Sequence, residues 1–408
     1  MPGGVNSPVR AMRSIGREPV FVARGEGCEL VDVDGNRYVD WVSSWGPLIA
    51  GHVHPEVVAA VSEATALGTS YGAPTPGEVD LAEEVVARVP SAEMVRMTSS
   101  GTEAAMSAVR LARAVTGRDA VVKFAGAYHG HSEGLLAEAG SGLATQGLPA
   151  SPGVTEAQAA DTITVPWNDR AALERVVSAR PPAVILAEPY PANMGLVPPA
   201  EGFLPFLREV ADDAGALLVF DEVISGFRVA RGGAQEREGV EPDLTALGKV
   251  LGGGLPAAAY AGQRALMERL APAGDVYQAG TLSGNPIAVA AGLATLGLLD
   301  ADAYARLEHV THKLARALRD AATAAGVAVQ VAHVTGLLTV FFSEAPVTSY
   351  EEARACDLEA HAAFCRGLLD RGVYPPPSQF EAWFPSLVHD DEAIERTASA
   401  AHAAFEAL

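Results

Sequence analysis

The sequence predicts an α/β protein in which a mainly parallel central sheet, with helices on both faces, is joined by a smaller α+β domain. From about Met94 onward, short apolar runs alternate with amphipathic helical stretches, which is typical of sheets built from strand–helix–strand units. After about residue 287 the pattern changes to helix, strands and helix. With 49% hydrophobic and 19% charged residues, the chain can bury a large core.

The first element expected is a β-hairpin over Val20 to Tyr38, because polar and apolar residues alternate around an Asp34-Gly35 turn. Six apolar runs predict strands of the central sheet: Met94–Met97, Ala120–Phe124, Ala183–Ala187, Ala216–Phe220, Leu244–Leu247 and Ala257–Ala261. Between them, helices are predicted over Thr102–Ala114 and Phe203–Asp213. In such a sheet, ligands bind beyond the carboxyl ends of the strands.

The segment Ala139–Val154 is rich in Gly, Ser, Ala and Pro. It predicts a loop, either a lid over a site or an ordinary surface loop. Beyond it, the patterns predict helices Ala288–Leu299, Ala303–Ala325 and Tyr350–Arg371, and strands Val327–Ala332 and Leu337–Phe342. We therefore expect a large domain over residues 45–286 and a small α+β domain over residues 287–408, with residues 1–44 packing against the small one.

Charge and composition exclude several classes of function. The formal net charge is −21, which opposes nucleic-acid binding because that requires a basic surface. No apolar stretch approaches the roughly 20 residues needed to cross a bilayer, and the first ten residues lack the apolar core of a secretory signal. The three cysteines, Cys28, Cys356 and Cys365, form no C-x-x-C pair. Free thiols in the cytoplasm are therefore expected, with the last two on opposite faces of one helix.

Lysine is rare in this chain. Only Lys123, Lys249 and Lys313 occur among 29 basic residues, so the other 26 are arginine (29 − 3). Since arginine fills the general positive positions, a retained lysine is enriched for roles that need an amine nucleophile. Chance retention is the competing interpretation for each of the three.

The segment Ser99 to Ala104 follows a predicted strand and opens a helix. A capping hydroxyl, a small Gly101 and outward-facing N–H groups together form a cradle for phosphate. An ordinary capping box without a ligand is the competing interpretation.

Two further motifs follow predicted strands. Asp221-Glu222 follows a buried apolar run, and such a carboxylate can pair with a protonated ring nitrogen, cap a helix or bind a metal. Lys249 lies between Gly248 and Val250, with three more glycines after it. A P-loop would need Ser or Thr after the lysine and an upstream glycine, so this pattern favours a Schiff-base lysine instead.

The fourth motif is Tyr128-His129-Gly130-His131. Tyr128 is suited to stacking on a cofactor ring. On a strand, His129 and His131 would face one side, as would His52 and His54, but no third metal ligand lies at a recognisable spacing. We therefore predict structural histidines and no metal.

The order of these motifs resembles that of the class III, fold-type I enzymes that depend on pyridoxal phosphate, and among them the glutamate-1-semialdehyde aminomutases. The resemblance extends over nearly the whole chain. It is carried by the segments Gly3–Arg10, Ser44–Pro47, Ser100–Ala104, Lys123–His131, Asp221–Arg228, Leu247–Pro256, Tyr277–Pro286 and Pro377–Glu381. The lysine and aspartate motifs are shared with ordinary class III aminotransferases, whereas Gly3–Arg10 and Ser378–Glu381 favour the aminomutases.

The resemblance implies a role for each site residue. Lys249 is the catalytic Schiff-base lysine, Asp221 holds the pyridine nitrogen, and Tyr128 and Val223 pack on the two faces of the ring. The other residues implied to bind the cofactor are Ser100, Gly101, Thr102, His129, Asn193 and, from the neighbouring subunit of a homodimer, Thr281. Those implied to bind the substrate are Ser7, Arg10, Trp45, Ser141 and Glu381.

The implied reaction isomerises (S)-4-amino-5-oxopentanoate to 5-aminolevulinate in tetrapyrrole biosynthesis, with pyridoxal 5′-phosphate cycling with pyridoxamine 5′-phosphate. Three segments depart from the family pattern: Ser99 replaces an Asn, Glu188–Asn193 carries Tyr190 and Pro191, and Gly336 is followed by two leucines. Because the second departure lies beside Asn193, an ω- or β-amino-acid aminotransferase is the alternative. A racemase and a non-catalytic ligand sensor are weaker ones.

Overall fold

The computed structural model describes residues 1–136 and 151–408. Within that part of the chain it contains thirteen strands: β1 (Val22–Glu26), β2 (Glu29–Asp32), β3 (Arg37–Asp40), β4 (Met94–Thr98), β5 (Val121–Phe124), β6 (Thr162–Val165), β7 (Val184–Ala187), β8 (Leu217–Asp221), β9 (Leu244–Leu247), β10 (Ala258–Gly262), β11 (Gln330–Val334), β12 (Leu337–Phe341) and β13 (Val373–Tyr374).

The described residues also form thirteen α-helices: α1 (Pro55–Leu67), α2 (Pro76–Arg88), α3 (Gly101–Thr116), α4 (Glu156–Ala159), α5 (Arg170–Ala179), α6 (Phe203–Ala214), α7 (Gly233–Glu238), α8 (Arg264–Met267), α9 (Pro286–Gly297), α10 (Ala301–Ala325), α11 (Tyr350–Ala355), α12 (Leu358–Leu369) and α13 (Asp391–Phe405). Short 3-10 helices occur at Pro2–Gly4, Pro8–Ala11, Arg13–Ile15, Ser43–Trp45, Glu133–Leu135 and Lys249–Gly252.

The central sheet has seven strands in the order β4-β10-β9-β8-β7-β5-β6. Strands β9, β8, β7, β5 and β6 pair in parallel, and β10 lies antiparallel between β4 and β9. Strands β5, β7 and β9 are buried at every position, as expected for a parallel sheet covered on both faces. The predicted α/β fold with a mainly parallel sheet is therefore confirmed.

Two smaller sheets complete the fold. One has the order β1-β2-β3-β13 and the other pairs β11 with β12. The predicted hairpin is present as β2 and β3 around the Asp34-Gly35 turn, and β1 adds a third antiparallel strand. Strand β13 pairs in parallel with β3, so segments more than 330 residues apart in sequence lie side by side.

Side chains also tie the two ends of the chain together. Trp41 Nε1 donates to Thr397 Oγ1 at 2.8 Å, and the His389 ring stacks on Trp41 at 3.8 Å between centroids. Burial lowers the pKa of His389 to about 4, so this ring is neutral near pH 7. Two neutral rings, those of Trp41 and His389, therefore stack face to face inside the core.

One predicted helix is wrong because the structure has two helices in its place. The segment predicted as a single helix, Tyr350–Arg371, is divided into α11 and α12. Asp357 is the reason, because its Oδ1 accepts the N–H groups of Glu359 and Ala360 at 3.0 and 2.9 Å and so starts a new helix. Cys356 lies at the break and Cys365 within α12, so the two do not share one helix as predicted.

Strand β6 was not predicted from the sequence. Its four residues, Thr162–Val165, alternate hydroxyl and apolar side chains, and only the last is buried. Because β6 is the edge strand of the sheet, it lacks the continuous apolar run that marks the central strands.

Among the described residues, no single helix is long and apolar enough to cross a membrane. Helices α9 and α10 pass that test only when taken together, and they are bent by 81° relative to each other.

Candidate active site

A cavity of about 380 Å³ lies at the edge of the central sheet where several strands end. Tyr128, Glu188, Asp221 and Lys249 come at or soon after the ends of β5, β7, β8 and β9. The cavity is lined by Pro47, Ser99, Ser100, Gly101, Thr102, Tyr128, His129, Gly130, Glu188, Asn193, Asp221, Val223, Ile224, Lys249, Gly254, Leu255, Pro256 and Ala257. Its volume is in the range of small-molecule sites, roughly 300–1,000 Å³.

Asp221 ends β8 and is held by two hydrogen bonds. Its Oδ2 lies 2.8 Å from Nδ1 of His129, and its Oδ1 accepts the N–H of Val223 at 3.1 Å. His129 is buried, and its Nε2 has no hydrogen-bond partner in the described part of the chain. A carboxylate fixed in this way cannot rotate freely, so it can hold a proton on a ring nitrogen in the cavity.

The three lysines lie in different environments. Lys313 is a partly exposed residue whose Nζ forms an ion pair with Asp391 at 2.6 Å, and the buried Lys123 donates from Nζ to the Leu135 carbonyl at 3.0 Å. Lys249 alone of the three lines the cavity.

Burial lowers the pKa of the Lys249 amine, and the negative charges of Asp221, Glu188 and Glu381 oppose that shift. A lowered pKa increases the neutral fraction of the amine, which is its nucleophilic form. Lys249 thus has the environment expected of a Schiff-base lysine.

The amino end of α3 forms one wall of the cavity. Ser100 Oγ accepts the N–H of Glu103 at 3.3 Å, and the Glu103 carboxylate accepts those of Ser99 and Ser100 at 2.7 and 3.0 Å. A capping box, which was the competing interpretation of this segment, is therefore present at the same helix end that was predicted to bind phosphate. This 16-residue helix presents its first N–H groups and the positive end of its dipole to the cavity.

Gly101 permits a close contact at this helix end. A Cβ on Gly101 would lie 3.0 Å from Val223 Cγ2, which is closer than side chains ordinarily approach. Val223 therefore packs directly against the helix terminus, and any larger residue at 101 would push the two apart.

The segment from Tyr128 to His131 is not a strand, so the prediction that His129 and His131 share one face is wrong. Gly126 (φ 80°) and Gly130 (φ 86°) are in the left-handed region and break the extended backbone. His129 turns inward to Asp221, whereas His131 is exposed, with its Nδ1 3.2 Å from Thr102 Oγ1. Among the described residues, no group of three or more His, Cys, Asp or Glu could hold a metal ion.

Tyr128 lines the cavity next to these residues. Burial, followed by the negative charges of Asp221 and Glu381, raises the pKa of its hydroxyl. The ring is therefore a neutral aromatic surface beside the two carboxylates, which suits stacking on another ring.

Glu188 is a site residue that was not predicted from the sequence. Its carboxylate accepts the N–H of Tyr128 at 2.8 Å, that of Ala192 at 3.1 Å and Nδ2 of Asn193 at 3.0 Å. Burial raises its pKa. The signal that would have found it is the one used for Asp221, an acid directly after a fully buried strand.

The unusual Tyr190 does not enter the cavity. Its hydroxyl donates to Glu238 Oε1, and its ring packs in an apolar cluster with Ile224, Phe384 and the partly buried Trp45. Asn193 remains among the residues lining the cavity. The Tyr190 departure from the family pattern therefore alters residues packed behind the cavity wall and leaves the residues that line the cavity unchanged.

Trp45 belongs to an unusual turn beside the cavity. Ser43, Ser44, Trp45 and Gly46 all have positive φ, at 46°, 58°, 67° and 106°. A Cβ on Gly46 would lie 3.5 Å from Lys249 Cδ. The turn therefore packs against the side chain of the candidate Schiff-base lysine.

The predicted substrate-binding residues are not all gathered at the cavity. Glu381 is close enough for its charge to act on Lys249 and Tyr128. Ser7 and the exposed Arg10 lie in the N-terminal 3-10 segment, outside the cavity lining. Ser141, like most of the predicted Ala139–Val154 loop, lies outside the described residues.

The N-terminal segment packs against the C-terminal part of the chain. Met12 and Ile15 are buried with Cys365 and Leu369 of α12, and Ser14 Oγ donates to the carbonyl of Pro377. Pro377 directly precedes the Ser378–Glu381 segment. Ser14 thus contacts the residue that directly precedes that segment, and Ser7 and Arg10 lie just before Ser14 in the chain, outside the cavity lining.

Thr281 is exposed on a different surface of the chain. It lines a separate cavity of about 340 Å³ formed by residues 70–75, Glu78, Gly280, Thr281 and residues 283–286. Thr281 therefore does not line the main cavity, which holds Lys249 and Asp221, of its own chain.

The groups around the main cavity fit one kind of cofactor. A helix terminus suits a phosphate, the fixed carboxylate of Asp221 suits a protonated ring nitrogen, the amine of Lys249 suits a Schiff base, and Tyr128 and Val223 offer surfaces for a flat ring. The unpartnered Nε2 of His129 is a further polar atom buried at this site.

Comparisons with known proteins give a consistent result. The family model described as aminotransferase class-III matches residues 12–405. The protein named glutamate-1-semialdehyde 2,1-aminomutase from Roseiflexus castenholzii is 57% identical over 410 residues, which cover 100% of this chain and 94% of that protein.

Solved structures are similar over almost the whole chain. An omega-transaminase from Sphaerobacter thermophilus has a TM-score of 0.91 at 32% identity, covering 99% of this chain and 95% of that one. A glutamate-1-semialdehyde-aminomutase from Pseudomonas aeruginosa PAO1 has a TM-score of 0.84 at 27% identity, covering 95% and 88%. A variant of the latter was solved in complex with PMP.

Proposed function

The chain belongs to the aminotransferase class-III family, and from that premise we propose that it is a glutamate-1-semialdehyde 2,1-aminomutase dependent on pyridoxal phosphate. It isomerises (S)-4-amino-5-oxopentanoate to 5-aminolevulinate. The observation that carries the proposal is the full-length identity of 57% to a protein of that name. The site supports it, since Lys249, Asp221 and the α3 terminus meet at one cavity.

The reaction conserves atoms and electrons. The amino group leaves C4 and appears on C5, while the carbonyl moves from C5 to C4, so no oxidant, donor or acceptor is consumed. When bound, pyridoxal phosphate supplies an electron sink for the carbon that loses a proton, together with a carrier for the amino group. Both the pyridoxal and the pyridoxamine forms are therefore expected in the working enzyme.

The chain's own residues would hold the cofactor and move the protons. Ser100, Gly101 and Thr102 bind phosphate at the α3 terminus, and Asp221, fixed by His129, keeps the ring nitrogen protonated. Asn193 lies on the wall expected to face the ring hydroxyl.

Lys249 takes the proton from C4, which loses the amino group and becomes the carbonyl carbon, and delivers one to C5, which receives the amino group. Its lowered pKa serves this step, because only the neutral amine accepts a proton. Glu381, whose charge reaches Lys249, is proposed to lie beside the reacting amines.

The substrate has one carboxylate, remote from the reacting carbons. Arg10 with Ser7 is proposed as its anchor, with Trp45 lining the pocket and Ser141 near the amines. This assignment rests on the resemblance alone. It requires the N-terminal segment to face the substrate in the assembled enzyme.

We also propose that the enzyme is a cytoplasmic homodimer of tetrapyrrole biosynthesis, in which Thr281 reaches the neighbouring site. Exposed apolar side chains near Thr281 support the dimer: Tyr71, Tyr277 and Leu282 are 50%, 72% and 53% exposed. Apolar groups of this size exposed together favour a protein interface.

An ordinary class III aminotransferase is the second candidate. The observation in its favour is that the solved omega-transaminase has a higher TM-score, 0.91, than the solved aminomutase, 0.84. Backbone similarity reports the shared scaffold, whereas substrate choice depends on individual side chains. The two candidates differ in whether a second amino substrate is needed.

The test is production of 5-aminolevulinate from glutamate-1-semialdehyde alone, with no added amino donor or keto acceptor. The Lys249→Ala variant gives the background of uncatalysed conversion. Sustained turnover beyond one equivalent per site is expected. If the cofactor-bound enzyme forms no 5-aminolevulinate alone but turns over once an amino donor and a keto acceptor are added, the chain is an aminotransferase.

A further inference from the structure

A fully buried arginine joins three distant segments of the chain next to the active site. Arg228 follows Phe227 soon after β8 and is 0% exposed. We propose that Arg228 is a positioning residue that holds the left-handed turn Ser43–Gly46 against the side chain of Lys249. The proposal rests on Lys249 being the reacting amine of the proposed function.

Within the described part of the chain, every hydrogen-bond acceptor of Arg228 is a backbone carbonyl. Its Nη1 donates to Gly336 O at 3.1 Å and to Pro385 O at 3.0 Å, and its Nη2 donates to Gly46 O. The guanidinium carbon also lies 5.3 Å from the centre of the Phe384 ring. Among the ion pairs of residues 1–136 and 151–408, none includes Arg228, so its charge is balanced by carbonyl dipoles.

The buried surroundings of Arg228 do not by themselves favour a positively charged side chain. A buried cation without a carboxylate is unfavourable, and burial lowers the pKa of Arg228 to about 9. A planar guanidinium can donate in several directions at once, which a single ammonium on a flexible stem does less well. The arginine is thus suited to fixing three carbonyls in one arrangement.

The turn that it holds would not persist on its own. Ser43, Ser44 and Trp45 are three successive non-glycine residues in the left-handed region, a conformation that survives only where the surroundings enforce it. Asp40 Oδ1 accepts the N–H of Ser43 at 3.1 Å at the start of the turn. Arg228 fixes its other end through the carbonyl of Gly46.

The turn in turn supports Lys249. A Cβ on Gly46 would lie 2.8 Å from Phe384 Cε1 and 3.5 Å from Lys249 Cδ. Gly46 is therefore packed between the ring that lies beside Arg228 and the methylene chain of the lysine. A small displacement of the turn would change the position of the amine, and proton transfer is sensitive to displacements of about 1 Å.

Arg118 provides a matched control. It also donates to three backbone carbonyls, those of Pro182, Ala214 and Gly215 at 3.1, 2.7 and 3.2 Å. These carbonyls precede strands β7 and β8, at the opposite edge of the sheet from the cavity. Arg118→Met therefore breaks the same kind of contact away from the site.

The experiment compares Arg228→Met, Arg228→Lys and Arg118→Met as holoenzymes, by amide hydrogen exchange and by steady-state kinetics. Arg228→Met should speed exchange at residues 43–48 at least tenfold and lower kcat at least tenfold, with KM within about threefold. Arg228→Lys should behave similarly, because it keeps the charge but loses the planar fork. Arg118→Met should speed exchange near residues 180–184 and 214–217 and keep kcat within twofold.

Unchanged exchange at residues 43–48 in folded Arg228→Met would overturn the proposal, as would a loosened turn with wild-type kcat. If the arginine variants do not fold, Ser43→Ala carries the test, because it removes the bond from Ser43 Oγ to Phe384 O at 3.0 Å from the same turn. Faster exchange at residues 43–48 together with a lower kcat in Ser43→Ala supports the proposal, and no change in either quantity overturns it. A wild-type enzyme without aminomutase turnover would refute the proposed function, while the exchange data would still decide whether Arg228 holds the turn.

Discussion

Lys249 carries its amine on a strained backbone. Its φ is 47°, and a left-handed conformation costs a non-glycine residue roughly 1–2 kcal/mol. Burial adds a second unfavourable effect, since it disfavours the charged amine. Both are tolerated because the neighbouring turn and carboxylates fix the residue, and strain of this kind concentrates at functional positions.

Replacing Lys249 with Ala should leave pyridoxal phosphate bound, because the α3 terminus and Asp221 remain, but lower turnover at least a thousandfold. Absorbance of the bound cofactor and the 5-aminolevulinate assay measure the two effects. Lys313→Ala, which removes a partly exposed ion pair away from the cavity, is the control and should match wild type. Wild-type-like turnover in Lys249→Ala would remove the lysine from the mechanism.

Asp221 and Glu222 are adjacent buried acids with different predicted roles. Asp221→Asn removes the charge that keeps the ring nitrogen protonated, and turnover should fall about a hundredfold or more with little change in unfolding temperature. The Glu222 carboxylate instead accepts hydrogen bonds from Ser225 Oγ, Ala234 N–H, and Gln235 N–H and Nε2.

Glu222→Gln should therefore lower the free energy of unfolding by about 2 kcal/mol, since an amide offers one oxygen acceptor where the two carboxyl oxygens accept four hydrogen bonds, with turnover per folded enzyme nearly unchanged. Thermal denaturation and kcat measure the contrast. An equal effect of both substitutions on kcat would contradict the division of roles.

Arg10 is predicted to bind the substrate carboxylate from outside the cavity lining. Arg10→Ala should raise KM at least tenfold and change kcat little, because the group it binds is remote from the reacting carbons. Arg13→Ala, in the next short helix of the same segment, is the control. An unchanged KM for Arg10→Ala would exclude Arg10 as the anchor.

At the scale of elements, capping residues decided where helices begin. Asp169, Asp300, Asp357 and Asp390 each accept an N–H from the first turn of the helix that follows. Of these helices only α10 was predicted separately, as Ala303–Ala325, whereas α5 and α13 were not predicted and Asp357 lies inside a continuous helical pattern. The pattern gives the period of a helix, but a cap can interrupt it without changing that period.

Helix α12 carries a buried histidine that links stability to pH. Burial lowers the pKa of His361 from 6.5 to about 4, so its contribution is fully present above pH 6.5 and is lost as pH falls toward 4. His361→Leu should remove this loss and narrow the stability gap between pH 7 and pH 4 by roughly 3 kcal/mol. Chemical denaturation at both pH values measures it. The exposed His309→Leu is the control, and an unchanged gap in His361→Leu would contradict the effect of burial.

At the scale of the whole molecule, the chain ends and the proposed dimer surface lie on different parts of the fold. The N-terminal segment packs on α12, and β13 pairs with β3, whereas Thr281 lies beside α2 and α9. The division into residues 1–44, 45–286 and 287–408 remains a prediction. So does the contribution of Thr281 to a neighbouring site.

The proposed dimer gives a test of its own. Leu282→Glu places a charge in the exposed apolar surface beside Thr281, and should shift the mass in sedimentation toward one chain and weaken binding of pyridoxal phosphate. Leu358→Glu, at another exposed leucine (43% exposed), is the control and should change neither. A monomeric wild-type protein with full activity would contradict the dimer.

The sequence by itself determined six of the seven strands of the central sheet, two of the helices between them and the motifs that follow its strands. Buried parallel strands are short apolar runs, and an acid or glycine-flanked lysine after such a run is visible locally. From the same information, Asp221, Lys249 and the α3 terminus were predicted at one edge of the sheet, where the structure has them.

The tertiary structure alone decided which distant groups meet. The contact of His129 with Asp221, the role of Glu188, the left-handed turn at Trp45 and the burial of Arg228 join positions that are tens to hundreds of residues apart. Local patterns encode local preferences, whereas such contacts depend on how strands and loops are arranged in space. A strained turn and an unpaired buried arginine are unfavourable locally, so only the packed fold that enforces them could reveal them.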